Sequence, residues 1–236
     1  MRFLDLTLAT LAENLALDEA LLLEVEGGGE VLRVWEWTQP AVVLGAGCHL
    51  AENIEEKTHL SNAVQIARRS SGGGTVLLGR GCLCYSLVLS YTRASELAEI
   101  QPSYAYVLGL VRNALSDLSP DIHRAGTSDL AAGDRKFSGN AQQRKRHHLL
   151  HHGTILYDFD LALVSRYLRL PSRQPDYRRQ REHADFLMNV PAKASELKRR
   201  LRSAWQADSS LTTWPEELVR KLVAEKYSRE DWIRRR

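Results

Sequence analysis

The sequence predicts an α+β fold in which helices pack on the outer face of a mixed β-sheet. A helix is indicated over residues 13–26, where Leu17, Leu21 and Val25 recur at four-residue steps. A block of short apolar and β-branched runs comes next, and a second helical pattern closes that block. Because a helix follows the strands, we expect the sheet to be mixed.

The first half of the chain supplies two helices with strands between them. The first helix is expected to end at the glycines of residues 27–29. The second helix covers residues 103–118, with Val107 and Val111 on its apolar face, and ends before Pro120. The strands predicted between the helices are residues 31–37, 41–45, 63–67 and 82–90.

The second half of the chain continues with short strands and then turns helical. Apolar runs at residues 136–142 and 153–158 are read as strands, and residues 171–182 form a polar, arginine-rich connection. Only helices are predicted after this connection. One contains Leu197, and another is opened by a capping box at residues 213–216.

Composition and charge are those of an ordinary globular chain. Of the 236 residues, 44% are hydrophobic and 26% are charged, which suffices for the core of one domain. No apolar run approaches the roughly 20 residues that cross a bilayer, and no secretory signal is evident, so we expect a cytoplasmic protein. Three cysteines do not make a disulfide framework. The net charge of +3 is too small to indicate nucleic-acid binding.

The basic residues are concentrated in the second half of the chain. We expect such a distribution to steer an acidic partner toward the protein. The residues concerned are Arg144, Lys145, Arg146, Arg173, Arg178, Arg179, Arg181, Lys198, Arg199, Arg200 and Arg202.

The most informative segment is residues 68–76, in which Arg68 and Arg69 precede three consecutive glycines. Glycines let backbone amides approach an anion closely, and the two guanidinium groups are expected to clamp it. The segment matches neither the phosphate loop, which needs a lysine after the glycines, nor the dinucleotide fingerprint. The common nucleotide-binding folds are therefore disfavoured.

Two further motifs follow. Residues 133–142 place Lys136 in a second glycine-bearing turn, and residues 151–156 open a strand with two histidines. The four histidines at positions 147, 148, 151 and 152 have i, i+4 spacing, which on a helix is compatible with a zinc site. No suitably placed carboxylate or thiolate completes that set, so a metal site is not predicted.

Four segments, in this order, resemble the lipoate-protein ligase and octanoyltransferase family, which shares its catalytic fold with biotin ligases. They are ENLALDEAL at 13–21, RRSSGGG at 68–74, GDRKFSGNAQ at 133–142 and HGTIL at 152–156. The resemblance covers about residues 10–190 and is strongest to lipoate-protein ligase. It implies a mixed sheet curled around an acyl-adenylate site. We expect one catalytic domain over 1–236, with a helical C-terminal tail at about 191–236 and no separate accessory domain.

The resemblance also implies the residues of the site. Lys136 is the expected catalytic residue, and Arg69, Lys136 and Gly139 are expected to contact lipoate. The expected contacts to ATP and the acyl-adenylate are Arg69, Ser71, Gly72, Gly73, Gly74, Thr75, Val76, Leu77, Lys136, Ser138, Asn140, His152 and Gly153. ATP would enter as its Mg²⁺ complex, with lipoate or octanoate as the acid. An acidic lipoyl carrier domain would be the partner, and an accessory subunit is a further possible partner.

Three alternatives remain beside ATP-dependent ligation. Acyl transfer from a thioester donor needs a nucleophilic cysteine, which one branch of the family carries just upstream of the lysine motif. Residues 124–129 occupy that place here and contain none, and no cysteine follows Cys84, so ligation is favoured. A non-catalytic carrier-binding module is suggested by Leu78 and Cys82, where ligases of the family commonly have His and Asn. Biotin ligation is disfavoured because a Gly-Arg-Gly-Arg loop is missing.

Overall fold

A computed structural model describes residues 1–25, 29–55, 64–119 and 121–236. The described strands are β1 Arg2–Asp5, β2 Val31–Glu36, β3 Ala41–Leu44, β4 Gln65–Arg68, β5 Val76–Leu78, β6 Cys82–Ser90, β7 Ile122–Ala125, β8 Asp129–Ala132, β9 Arg135–Arg144, β10 His148–Leu156 and β11 Ser209–Ser210. The α-helices are α1 Leu11–Leu23, α2 Leu50–Asn53, α3 Ile100–Leu115, α4 Ala162–Tyr167, α5 His183–Phe186, α6 Ala194–Ala204, α7 Glu216–Leu222 and α8 Glu230–Ile233. Short 3₁₀-helices occupy Ser95–Ala98 and Asp176–Arg178, and a short π-helix occupies Val223–Tyr227.

Some of the expected features lie outside the described residues. These are the glycines at 27 and 28, the start of the strand predicted at 63, and Pro120. Among the helices in the described ranges, none combines the length and apolarity needed to cross a membrane.

The strands form two sheets, both mixed. The large sheet has the order β11-β1-β2-β6-β10-β9-β8-β7, and the small sheet has the order β4-β3-β5. Pairing is parallel where β1 meets β2 and β11 and where β3 meets β4, and it is antiparallel elsewhere. The predicted α+β class with a mixed sheet is therefore confirmed, with the strands divided between two sheets.

Helices and the small sheet bury opposite faces of the large sheet. Helices α3 and α6 cover its outer face, where Val107 and Leu201 join the apolar cluster that contains Leu83 and Leu87 of β6. Helix α1 and the small sheet cover the inner face, where they pack against Cys84 and the alternate residues of β6. Since β6 is buried on both faces, it is a continuous apolar run, which is why its predicted limits match those observed.

Five short strands and one cap differ from the sequence predictions, which contain none of β1, β5, β7, β8 and β11. Each of these strands is only two to four residues long, too short to show a pattern in the sequence, and pairing with neighbouring strands creates them. The capping box predicted at residues 213–216 is wrong, since α7 begins after Pro215 with no side-chain cap. A true capping box opens α1, where Thr10 and Glu13 bond reciprocally.

The C-terminal segment returns to the motif region and holds Arg68. The Arg68 guanidinium donates to the carbonyls of Gly45 and Cys48, both at 2.8 Å, and to those of Trp232 and Ile233 at 3.1 and 3.0 Å. The Trp232 indole donates back to the Arg68 carbonyl at 3.0 Å. Arg68 therefore faces away from the inner cavities, and its expected part in clamping an anion is wrong.

Candidate active site

Two adjoining cavities lie on the inner face of the large sheet. Their volumes are about 150 and 360 Å³. The cavities share one wall. Residues 68–76, here called the glycine-rich segment, and the β8–β9 hairpin both contribute to it. The residues of this shared wall are Gly74, Thr75, Val76, Ser128, Asp129, Lys136, Gly139 and Thr154.

The first cavity has an apolar end built by five elements. Its side chains are Leu15 from α1, Trp35 from β2, Val43 from β3, Leu78 from β5 and Cys84 from β6. All five are buried except where they face this space. Such a lining suits a hydrocarbon chain. Leu78, which stands where ligases of the family commonly have a polar residue, is part of this apolar surface.

Arg69 organises the glycine-rich segment from within. Its Nε donates to Ser71 Oγ at 2.9 Å, and its Nη2 donates to the carbonyls of Gly72 and Gly74 at 2.6 and 2.8 Å. Burial lowers the pKa of Arg69 to about 10, so the guanidinium stays charged at neutral pH. It lines the first cavity. Arg69 thus both holds the glycine-rich segment in shape and faces the first cavity.

The glycine-rich segment is also fixed from behind by strand β3. A Cβ atom placed on Gly45, just after β3, would lie 2.1 Å from the carbonyl oxygen of Gly73, which is closer than any side chain tolerates. Gly73 itself has φ +84°, a value that favours glycine. The Cys48 thiol reaches the same carbonyl at 3.3 Å. These contacts give the segment one defined position beside the cavities.

Lys136 lies in strand β9 and not in a turn, so the turn expected at this position is wrong. The turn precedes it at Gly133, where φ is +57°. Asp129 of β8 pairs with Gly139, and Ala131 pairs with Lys136, so one extra residue lies in β9 between these pairs. This bulge turns Phe137 into the outer core and brings Lys136 onto the inner face with Asp129.

The Lys136 ammonium forms an ion pair with Asp129. The Lys136 Nζ atom lies 2.8 Å from Asp129 Oδ1. A Cβ atom on Gly139 would lie 2.9 Å from the same nitrogen, so the lysine side chain needs glycine at that position in this arrangement. The ammonium therefore occupies the wall between the two cavities, within reach of a ligand in either of them.

A buried polar chain supports the other side of the first cavity. His152 Nε2 is 2.6 Å from Ser71 Oγ, and His152 Nδ1 is 3.4 Å from Asp18 Oδ2. Asp18 also accepts from Arg33 at 2.6 Å and from Ser86 at 2.7 Å. The arrangement is a Ser-His-Asp array, but Ser71 lines neither cavity. We interpret the array as support for the loop and not as a nucleophile.

Electrostatics keep Asp18 ionised in this chain. Burial alone raises the pKa of Asp18, but the Arg33 charge and hydrogen bonds from His152 and Ser86 outweigh it and leave the pKa below its ordinary value. Arg33 is fully buried and Asp18 nearly so. The pair is thus an internal ion pair at the base of the cavity.

The neighbouring histidines face opposite sides of strand β10. His151 packs in the outer core between Tyr85 and Tyr104, where burial lowers its pKa to about 3. His152 points inward. The helical spacing considered for a zinc site is wrong here, because alternation along a strand separates the two rings. No group of three or more potential metal ligands occurs among the residues that the structure describes.

The structure brings most of the expected site residues to the cavity walls. Those that line one cavity or both are Arg69, Gly73, Gly74, Thr75, Val76, Leu77, Lys136, Ser138, Gly139, Asn140, His152 and Gly153. Ser71, which is buried, and Gly72, which is exposed, line neither cavity. Asn140 is fixed by Tyr85, whose hydroxyl donates to its Oδ1 at 2.5 Å. A Cβ on Gly153 would meet that oxygen at 1.8 Å, so Gly153 makes room for the amide.

Asp18, Asp129 and Trp35 are site residues that the sequence reasoning missed. A signal existed for Asp18, which with Glu19 is one of two carboxylates inside the otherwise apolar residues 15–22 of α1. Asp129 and Trp35 gave no such signal, because only strand pairing brings them to the cavity.

The second cavity has a basic wall supplied largely by the arginine-rich connection. Arg169, Arg173 and Arg178 line it together with His183. Arg178 is buried, stacks over the Phe186 ring at 4.5 Å and lies 3.3 Å from His183 Nδ1. It is therefore a wall residue and not an exposed steering charge, which corrects the sequence-based expectation. A positively charged wall suits an anionic ligand.

An apolar cavity thus adjoins a basic one, and Lys136 lies in the wall between them. The chain belongs to the lipoyl protein ligase A/B catalytic domain family, whose profile matches residues 10–208.

Relatives and solved structures agree with this assignment. The chain is 29% identical to octanoyltransferase LipM of Carboxydothermus hydrogenoformans, covering 98% of this chain and 97% of LipM. It is similar to lipoate-protein ligase A bound with ATP, with 27% identity, a TM-score of 0.80 and coverage of 99% and 98%. It is also similar to the bipartite lipoate protein ligase of Thermoplasma acidophilum, with 25% identity, a TM-score of 0.83 and coverage of 99% and 95%. Enzymes of both kinds, ligases and transferases, are thus among its relatives.

Proposed function

We propose that this protein is an ATP-dependent lipoate-protein ligase that activates lipoate or octanoate as the acyl-adenylate. The acyl group would then pass to a lysine of a lipoyl carrier domain. The observation that carries the proposal is the position of Lys136, on the wall between an apolar cavity and a basic cavity. The first would hold the acyl chain, and the second would hold the nucleotide.

The chemistry explains why a lysine belongs at this junction. Attack of the acid's carboxylate on the α-phosphorus of Mg²⁺-bound ATP forms a mixed anhydride and releases pyrophosphate. Negative charge builds on phosphate oxygens in that step, and a fixed ammonium stabilises it without reorganisation. The deprotonated amine of the acceptor lysine then attacks the acyl carbonyl and AMP leaves. Lys136 can polarise that carbonyl from the same position.

The cysteines give no support to a thioester intermediate. Cys84 lines the first cavity, but a hydrogen bond with Cys82 and burial both raise the pKa of its thiol, which disfavours the reactive thiolate. Cys48 contacts Gly73 behind the loop and lines neither cavity. Cys82 is buried and lines neither cavity.

The proposal is tested by incubating the purified protein with Mg²⁺, ATP labelled at the α-phosphate, and lipoate or octanoate. We expect labelled acyl-adenylate and pyrophosphate in amounts that depend on the acid. A protein that acylates a lipoyl domain from a thioester donor but forms no adenylate would refute the ligase assignment. A protein that does neither but binds the lipoyl domain would be the non-catalytic module.

Acyl transfer is the second candidate, favoured by the full-length similarity to octanoyltransferase LipM. The variant combining Cys48→Ser, Cys82→Ser and Cys84→Ser separates it from ligation. We expect this variant to keep acylating the carrier domain, with some loss of stability from the buried hydroxyls. Hydroxylamine-sensitive acyl label on the wild-type chain, absent from the variant, would instead establish a thioester route.

We further propose that the acceptor is an acidic carrier domain that meets the protein near the second cavity. Arg173 and Arg179 are exposed there, whereas Arg146 lies beyond the far end of β9, roughly 30 Å from Lys136 at the usual rise per residue. We expect Arg179→Glu and added salt to slow transfer to the carrier much more than adenylate formation. Arg146→Glu is the matched control. Equal slowing by both variants would place the encounter elsewhere.

A further inference from the structure

We propose that Tyr177 is a positioning residue for Lys136 and that it acts through Asp129. This inference rests on the proposed function for the role of Lys136. Tyr177 belongs to the arginine-rich connection, which no sequence motif marked as part of the catalytic machinery, and it lines neither cavity.

The two oxygens of one carboxylate join the three side chains. Asp129 Oδ1 lies 2.8 Å from Lys136 Nζ, and Asp129 Oδ2 accepts a hydrogen bond from the Tyr177 hydroxyl at 2.7 Å. Asp129 is buried. A carboxylate held at both oxygens cannot rotate about its Cβ–Cγ bond without losing a partner. Tyr177 therefore fixes the plane in which Asp129 meets the ammonium.

The connection is built to keep Tyr177 in place. The Tyr177 ring packs against Phe186 at a centroid distance of 5.2 Å. Arg181 donates to the Asp134 carboxylate at 2.8 Å and its carbonyl at 2.7 Å, and it also donates to the Tyr177 carbonyl at 3.1 Å. Arg179 and Gln180 between them adopt left-handed φ values of 51° and 57°. Two such residues in succession carry a backbone cost that the surrounding contacts must offset.

The charges around Asp129 favour this arrangement. Lys136 from β9 and the Tyr177 hydroxyl from the connection contact it directly, and the Arg178 charge acts on it from the same connection. Burial and the adjacent carboxylate raise the pKa of Tyr177, so its hydroxyl remains protonated and acts as a donor. Tyr177 thus donates a hydrogen bond to Asp129 without adding a charge, and the positive charge beside Asp129 in the shared wall is that of Lys136.

The test is Tyr177→Phe, which keeps the ring and removes only the hydroxyl. Loss of a hydrogen bond to a charged group predicts a fall of about tenfold in kcat for adenylate formation. The KM for lipoate should be unchanged, because Tyr177 does not line the acyl cavity. Tyr157→Phe is the matched control, since it removes a hydroxyl that donates to the Glu36 carboxylate at 2.5 Å outside both cavities.

A double-mutant cycle and a spectroscopic signal separate positioning from a structural effect. In an Asp129→Asn background, Tyr177→Phe should cause little further loss of kcat. In the free protein, the ¹⁵N-detected ammonium signal of Lys136, assigned with Lys136→Arg, should shift or broaden in Tyr177→Phe and not in Tyr157→Phe. Additive losses of kcat, or an unchanged ammonium signal, would overturn the proposal. If no adenylate forms, the proposed function fails, and the ammonium signal still decides whether Tyr177 positions Lys136.

Discussion

Replacing Lys136 with alanine is expected to lower the rate of adenylate formation by more than about 100-fold, or about 3 kcal/mol, as with loss of an oxyanion donor. The ammonium lies on the wall that both ligands would share, so the acyl-transfer step should suffer as well. Single-turnover assays of each half-reaction measure the two effects separately.

The control for this variant is Lys145→Ala, which removes a lysine from the turn at the opposite end of β9. We expect it to leave both half-reactions intact. Lys136→Ala removes the counter-ion of the buried Asp129, but that carboxylate keeps its hydrogen bond from Tyr177 at 2.7 Å, so we expect the variant to remain folded. If Lys136→Ala modified its acceptor at nearly the wild-type rate while remaining folded, the catalytic assignment would be wrong.

Replacing Asp18 with asparagine is expected to lower the free energy of unfolding by about 3 kcal/mol, because Arg33 would then be a buried cation without its counter-ion. The chain provides a matched comparison in Asp117 and Arg200, which meet at the same 2.6 Å but on the surface. Asp117→Asn should leave stability nearly unchanged. Urea unfolding of the two variants measures the difference that burial makes.

The effect of Asp18→Asn should depend on pH in a defined direction. The pKa of Asp18 is lowered in the folded protein, so its contribution to stability is fully present above the unfolded value of about 3.9. That contribution is lost as the pH falls through the lower folded value. The stability gap between wild type and variant should therefore narrow in acid. A gap that stayed constant, or a variant as stable as Asp117→Asn at neutral pH, would mean that the ion pair adds little.

The sequence was most informative where one short pattern determines a structure. Helix α3 was predicted because burial of one face imposes a period on its residues, and strand β6 because burial of both faces makes it a continuous apolar run. The glycine-rich segment and the HGTIL segment were recognisable as motifs, and their order identified the family. The expectation that HGTIL opens a strand is wrong, because it forms the last five residues of β10. Patterns of this kind depend only on residues that are close together in the sequence, so they can be recognised without knowing the fold.

Long-range pairing explains what the sequence could not reveal. Arg68 and Arg69 are adjacent and chemically equal, yet only the fold sends Arg68 to the C-terminal segment and Arg69 to the cavity. The bulge in β9 is set by pairing with β8, so nothing near Lys136 indicated that Lys136 and Gly139, three residues apart, would face the same side of the sheet. The Tyr177–Asp129 contact joins residues 48 positions apart.

The division into two sheets means that the candidate site lies between two separately hydrogen-bonded parts of the protein. Strands β4 and β5 of the small sheet flank the glycine-rich segment, whereas Lys136 belongs to the large sheet. A ligand that contacts both the glycine-rich segment and Lys136 therefore connects the small sheet to the large sheet. A ligand that binds only when the two sheets are in contact adds to the stability of that contact by an amount set by its concentration and its Kd. Ligand binding should slow amide hydrogen exchange in β4 and β5, including at amides that the ligand does not contact. Exchange rates of these two strands could therefore report how much of the protein has ligand bound.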